Sequence, residues 1–501
     1  MEIKVAAKDI TKARVDVLIV NLFSGVKKPG GATGAIDEAL DGAITKLIAD
    51  GEIKGKKGEW TLVHTLGKIA PERVAVLGLG SAKEMDAETL RWAMGDVART
   101  VRGIGAKRVG TIVHGAGTGG LAADEAARAI VEGFILGLYT FNRHKKNGNG
   151  GPEVEDLTIF EKDKAKLPDV ERGVHLGRVV AESTCLARDL INEPANFMKP
   201  SDMAMAAQKV GRECGLEVTV LEREDMEKMG MGAIIGVAKG SVLPPKFIIM
   251  KYQGDPEHPA KVMGLVGKGV TFDTGGISLK PPGGMAWMKT DMAGGASMIA
   301  AMRAIGALKP KINVTGLIPC AENMPSGTAQ KPGDVVTALN GKTIEVDNTD
   351  AEGRLLLADA LSYGRKIGLS PMIDAATLTG AIKTSFGDVC TGAFTNHQPT
   401  LDRLMKSAAA VGEKMWQMPM FDDYKEMNRS DVADVKNSGG AWAGSITAAL
   451  FPQEFAETTP WVHLDIAGTA RKESTKGYLV KGGSGNPVRT LVQFVLDSAQ
   501  R

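Results

Sequence analysis

Short runs rich in valine, isoleucine and leucine alternate along the chain with longer runs whose apolar residues recur at helical spacing. In the first third, Val15–Leu22, Val74–Leu79, Val109–His114 and Leu157–Phe160 read as strands, and Ala122–Tyr139 reads as a helix. Further on, strands are expected at Leu216–Leu221, Phe247–Tyr252, Val262–Val266, Val314–Ile318, Thr343–Val346, Met372–Ala375 and Trp461–Leu464. Helices are expected at Met292–Leu308, Gly353–Lys366 and Leu401–Met415. Such alternation predicts an α/β fold with a largely parallel or mixed central sheet. Lys145–Pro152 is basic, then rich in glycine and asparagine, and reads as a loop. Lys162–Arg172 is charged and carries Pro168, so a boundary is expected near residue 165. It separates a smaller N-terminal α/β domain, 1–165, from a larger C-terminal α/β domain, 166–501.

Composition narrows the class. The 501 residues suit two domains at roughly 100–200 residues each. Hydrophobic residues make up 43% and charged residues 24%, which excludes a disordered or coiled-coil chain. A net charge of +2 supplies no overall field to draw nucleic acid or an anionic membrane. No apolar run reaches the ~18–20 residues that span a bilayer. Met1–Phe23 has no basic head, apolar core and small-residue cleavage site. Four scattered cysteines, Cys185, Cys214, Cys320 and Cys390, form no disulfide framework. These features predict a cytoplasmic protein with reduced thiols.

Several familiar motifs fail on inspection. Gly115-Ala-Gly-Thr-Gly-Gly120 has the glycine spacing of a dinucleotide loop, but no acid stands about 20 residues on, where that fingerprint needs one. It reads as a glycine-rich turn. Gly267-Lys268-Gly269 lacks the earlier glycine and following Ser/Thr of a phosphate loop. The seven histidines include no H-E-x-x-H pair, so any metal must be held mainly by oxygen. No G-x-S-x-G elbow occurs.

Two stretches concentrate polar chemistry just after apolar strands. One, Val266–Asp291, contains Lys268, Asp273, Lys280 and Asp291 among glycines; the other, Val346–Leu357, contains Asp350, Glu352 and Arg354 at the start of a helix. Taken alone, each has a plainer reading as a turn or as a helix cap with acids favoured by the dipole. Together they bring four carboxylates and three cations. Clustered carboxylates repel unless positive charge sits among them. Divalent Mg²⁺, Mn²⁺ or Zn²⁺ suits such oxygens, and a set this large suits two ions about 3.5–4 Å apart, as in two-metal hydrolases. A peptidase and another two-metal hydrolase, such as a phosphatase, both fit this reading.

At these residues the sequence resembles the leucyl aminopeptidase family, the cytosol aminopeptidases. The likeness rests on N-T-D-A-E-G-R-L at Asn348–Leu355, G-K-G-V-T-F-D-T-G-G at Gly267–Gly276 and M-K-T-D-M at Met288–Met292. It extends to R-D-L-I-N-E-P-A-N at Arg188–Asn196 and H-L-D-I-A-G at His463–Gly468. It covers residues 165–501; the N-terminal part matches only in general character. The resemblance implies that the C-terminal domain is catalytic and releases N-terminal residues, leucine and other mainly hydrophobic ones, from peptides by water activated between two metal ions. It implies Lys268, Asp273, Asp291 and Glu352 as ligands of one metal (Mn²⁺ or Zn²⁺, with Mg²⁺ a further option), and Asp273, Asp350 and Glu352 as ligands of the other. It gives Lys280 the role of stabilising the tetrahedral intermediate and Arg354 that of holding bicarbonate as proton carrier. Met288, Thr377, Leu378, Gly380, Ala467 and Ala470 would line the substrate pocket. The partners implied are short peptides with a free N-terminus and five further copies in a homohexamer. Some relatives also bind DNA; here only Arg143, Lys145 and Lys146 form a small basic cluster.

Overall fold

Residues 1–146 and 153–500 are described by a computed structural model. They divide into two units, Met1–Glu182 with Ser474–Val480, and Ser183–Glu473 with Lys481–Arg501. Of the loop expected at Lys145–Pro152, residues 147–152 lie outside the described residues.

The first unit is built on six strands: β1 (Glu2–Ala6), β2 (Val17–Leu22), β3 (Trp60–His64), β4 (Arg73–Gly78), β5 (Arg108–Ile112) and β6 (Asp156–Phe160). Its helices are α1 (Gly31–Ala39), α2 (Ala43–Ala49), α3 (Ala87–Gly103) and α4 (Ala123–Leu138), followed by α5 (Leu167–Asn192). The sheet order is β1-β6-β5-β2-β4-β3, parallel except for the β3–β4 pair. Successive residues of β2 and β4 point to opposite faces. Val17, Ile19, Ala75 and Leu77 pack with α3 and α4, while Leu18, Val20, Val74 and Val76 pack with Ile36 of α1 and Ile44 of α2. A parallel sheet covered on both faces explains why these strands are apolar without alternation.

The second unit adds helices α6 (Pro200–Cys214), α7 (Arg223–Met229), α8 (Gly232–Ala238), α9 (Ala293–Leu308), α10 (Glu352–Lys366), α11 (Gly380–Phe386), α12 (Gln398–Ala410), α13 (Gly444–Ala456) and α14 (Val488–Ala499). Its large sheet contains β7 (Glu217–Leu221), β8 (Lys246–Gln253), β9 (Val262–Gly267), β10 (Gly269–Asp273) and β11 (Asn313–Asn323). A small sheet of β12 (Asp334–Thr337) and β13 (Thr343–Val346) intervenes; β14 (Met372–Ala376), β15 (Thr391–Thr395) and β16 (Met415–Gln417) return to the large one. Finally β17 (Val435–Lys436) joins the small sheet and β18 (Trp461–Asp465) the large one. The large sheet runs β16-β15-β18-β14-β9-β11-β8-β7, with β10 beside β11. Its centre, β18-β14-β9-β11, is parallel, and β8 and β15 run the other way. Helix α9, buried over most of its length, contacts β9 and β11, and the main apolar core joins Val266, Val270 and Leu317 to α8, α10 and α13.

The two-unit α/β architecture is the one expected. Two details differ. The helix expected over Leu401–Met415 ends at Ala410, because Gly412 at φ +73° breaks it and Met415 opens β16. The charged residues before Arg172 enter the 26-residue α5, whose second residue is Pro168. Proline is tolerated in a first turn, where its missing N–H has no intrahelical partner to lose. The units part at Glu182/Ser183 inside this helix, where composition carries no signal.

Candidate metal centre

The site gathers at the carboxyl ends of β9 and β10 and at the N-terminus of α10. Lys268 follows β9, Asp273 closes β10, and Asp350 and Glu352 lie at the start of α10. Asp291 ends a 3-10 turn, Met285–Thr290, that precedes α9. Acids beside the N-terminus of α10 are favoured by its dipole. Gly353 has a local reason: a Cβ there would lie 2.6–2.8 Å from the Lys268 side chain, so only glycine lets that lysine reach the helix start. Gly275, at φ +88°, turns the chain back after Asp273, and its Cβ would meet Asp350 Oδ1 at 2.8 Å.

Asp273, Asp291 and Glu352 each offer an oxygen within 4.8 Å of the others, and all three are buried. Lys268 Nζ lies 2.7 Å from Glu352 Oε1 and 2.7 Å from Asp291 Oδ2, and donates to Asp291 Oδ1 at 2.9 Å and to the Thr377 carbonyl at 3.0 Å. Lys280 Nζ pairs with Asp273 Oδ2 at 2.7 Å and with Asp350 Oδ1. Asp273 Oδ1 accepts from Asn323 Nδ2 at 2.8 Å and from the Gly275 N–H at 2.9 Å. Thr377 Oγ1 donates to Asp291 Oδ1 at 2.7 Å.

The charge balance favours a cation. Burial, then the neighbouring charge of Asp273, raises Glu352 and Asp350 above the ordinary carboxylate range. Burial chiefly raises Asp291, against the pull of Lys268. Burial lowers Lys268 and Lys280, but the surrounding carboxylates outweigh it and hold both as ammonium. Four carboxylates against two lysines leave a formal charge of −2, and Glu352 Oε2 is buried without a hydrogen-bond partner among the described residues. A converging set of hard oxygens with an unsatisfied buried oxygen fits divalent cations.

The structure also places the other residues singled out in the sequence. Arg354 on α10 donates from Nη1 to the Asn437 carbonyl at 2.5 Å; its Nε is buried without a partner among the described residues, and burial pulls its pKa down to about 10. The Leu378 and Ala467 N–H groups both donate to Asp465 Oδ1 at 3.2 Å, beside Thr377 in sequence and at the end of β18. Gly380 opens α11, Met288 lies on the turn leading to Asp291, and Ala470 is buried with its N–H on the Ile466 carbonyl. Reading the sequence missed three supporting residues: Asn323, Asn437 and Asp465. A polar residue ending the long apolar β11 was the available signal for Asn323. Asn437, which donates to the Asn348 carbonyl at 2.7 Å, had none.

A parallel-centred α/β unit carrying this cage of carboxylates and lysines defines a metal-dependent hydrolase. The chain belongs to the cytosol aminopeptidase family: residues 185–492 match the profile of its catalytic domain and residues 19–148 that of its N-terminal domain. It is 44% identical to a "Probable cytosol aminopeptidase" of Alkaliphilus oremlandii and 46% identical to one of Solibacter usitatus, each covering 99% of both chains. Among solved structures, a mutant of tomato leucine aminopeptidase superposes with a TM-score of 0.88 at 32% identity, covering 99% of this chain and 96% of that one. The bottromycin maturation enzyme BotP in complex with Mn superposes at 0.85 and 32% identity, covering 97% and 99%. The protein is thus a peptidase, a hydrolase of a metal-dependent family. Among the described residues no helix is long and apolar enough to cross a membrane.

Proposed function

We propose that this protein removes N-terminal residues, leucine and other mainly hydrophobic ones, from short peptides, with its catalytic machinery in residues 166–501. The observation that carries the reading is the buried convergence of Asp273, Asp291 and Glu352 with Lys268 and Lys280. Lys268, Asp273, Asp291 and Glu352 would hold one divalent ion, and Asp273, Asp350 and Glu352 a second. Manganese, zinc and magnesium all suit these ligands. When bound, the ions supply Lewis acidity and bring the pKa of water toward ~7. A dication in the cage reverses the field at Lys268, favouring the neutral amine that a ligand must be.

The chain's own residues then divide the work. Lys280, one-fifth exposed, keeps its proton and donates to the oxyanion that develops on the scissile carbonyl. Asp273 and Asp350 hold its ammonium in place. Arg354 presents a buried Nε and a planar fork of donors, which suits bicarbonate as a proton acceptor. Asp465 fixes the backbones of Leu378 and Ala467. With Met288, Thr377, Gly380 and the small Ala470 these would form a pocket with room for a branched apolar side chain. A homohexamer and a cytoplasmic location complete the proposal.

The test pairs metal analysis with hydrolysis of a leucine anilide before and after chelation, with a phosphate ester as counter-substrate. We expect bound divalent metal, activity lost on chelation and restored by Mn²⁺, and no phosphatase turnover. Lys280→Ala should lose ~10²–10³ in kcat while keeping its metal, and Asp273→Ala should lose both. Full turnover in Lys280→Ala would remove that residue from the mechanism.

A further inference from the structure

A cavity of about 900 Å³ lies within the N-terminal unit and takes no part in the site above. It opens at the carboxyl ends of β2, β5 and β6, between Asn21, Val113 and Phe160. The neighbours β2 and β5 send their connections in opposite directions: from β2 the chain proceeds through α1 and α2 to β3 and then β4 on one side, from β5 through α4 to β6 on the other. Strand ends at such a reversal leave a crevice, and open α/β sheets bind ligands there.

The lining supplies hydrogen-bond donors. Helix α1 begins at the cavity with Gly30 as its cap, so no side chain covers the N–H groups of its first turn. Across from it, no hydrogen bond among the described residues takes up the N–H groups of Ala116, Thr118 or Gly119. Asn21 is oriented by a buried neighbour: its Oδ1 faces His114 Nδ1 at 3.1 Å, and His114 Nε2 meets Thr111 Oγ1 at 2.7 Å. That leaves the Asn21 amide nitrogen without a partner among the described residues, as a further donor. Gly30 is informative because nothing internal calls for it. Its φ of −117° is open to any residue, and a Cβ would meet nothing within 4 Å. Glycine there lets a ligand lie against bare backbone. Beyond the donors the wall turns apolar at Ile10, Val26 and Phe160, and Lys8, Lys162 and Lys164 outnumber Asp9 and Glu161 around it.

We propose that this cavity binds a nucleoside diphosphate. Its phosphates would rest on the amides of Gly31–Thr33 and Ala116–Gly119, where uncapped N–H groups and the α1 dipole favour anions, and its base would lie against the apolar wall. The volume suits a ligand of that size. The turn Gly115–Gly120 thereby acquires a role as phosphate contact, without the ribose-binding acid of a dinucleotide fingerprint.

The experiment is calorimetric titration of ADP into the full-length protein, with inorganic phosphate as a parallel probe. We expect a Kd of about 1 mM or tighter for ADP, and phosphate about tenfold weaker or more. Gly30→Glu places a carboxylate among the donors and should weaken ADP by about tenfold or more. Asn21→Asp, nearly isosteric, should do the same and serves if the first variant does not fold. No binding at ~5 mM ADP overturns the proposal. Equal affinity in the parent and a folded variant also overturns it, since ADP would then sit elsewhere, for example at the metal cage. Phosphate binding as tightly as ADP removes the nucleoside from the assignment.

Discussion

His114 is fully buried at the end of β5, and burial pulls its pKa down to about 3. Inside the folded unit it stays neutral, while in the unfolded chain it takes up a proton below its ordinary value of ~6.5. Stability from this residue is therefore complete above about pH 6.5 and is lost as pH falls toward 3. By pH 5 the loss is on the order of 2 kcal/mol, at ~1.4 kcal/mol per pH unit. Denaturant unfolding of the N-terminal unit at pH 7 and pH 5 should show the parent losing about that much more than His114→Gln. Equal losses would mean that another group carries the acid sensitivity. Single residues were legible in the sequence where chemistry clustered along the chain: Lys268, Asp273 and Lys280 stand close together around the short strand β10, and Asp350, Glu352 and Arg354 within one turn. Asn323, Asn437 and Asp465 were not, because each reaches the site from a separate strand or loop, through two, three and four side-chain hydrogen bonds respectively. A side chain that holds a distant partner leaves at most a faint local mark, such as the polar Asn323 at the end of the apolar β11.

Elements were legible when period and length agreed. Strands β2, β4 and β5 and helices α4, α9 and α10 fall within two residues of their expected bounds, since runs buried on both faces leave little ambiguity. Helix α5 was hidden by its charged first turns. What the apolar pattern does not show is how closely elements approach. Helices α3 and α4 cross through glycines: a Cβ on Gly137 would lie 2.5 Å from the Gly95 carbonyl oxygen, and one on Gly133 2.5 Å from that of Arg91. Two effects compete in Gly137→Ala. Helix propensity favours alanine by ~1 kcal/mol, while overpacking costs about 1–3 kcal/mol, toward the upper end when the obstacle is backbone. The clash should win. Thermal unfolding of Gly137→Ala should fall by a few degrees, whereas Gly103→Ala, where a Cβ meets nothing within 4 Å, should hold or rise. A gain in Gly137→Ala would show that the helices can separate cheaply.

For the molecule as a whole, the metal cage is a tertiary object. Its proposed ligands come from Lys268–Asp291 and from Asp350–Glu352, and the intervening chain includes α9 and β11. In the unfolded chain these stretches have no reason to meet, so cations bind the folded unit far more tightly. Binding then stabilises that unit by RT ln(1 + [L]/Kd), about 2.7 kcal/mol at a hundredfold excess over Kd. Hydrogen exchange should register this where the cage is anchored. With Mn²⁺ present, amides of β9, α9 and α10 should exchange about a hundredfold more slowly than after chelation. Strands β2 and β5, which carry no cage ligand, should change far less. Asp273→Ala should erase the difference, because it removes an oxygen common to both proposed ions. If chelation strips the metal yet α9 and α10 keep their protection, the carboxylates and lysines hold the loops together by their own ion pairs. The cation's contribution would then be confined to chemistry.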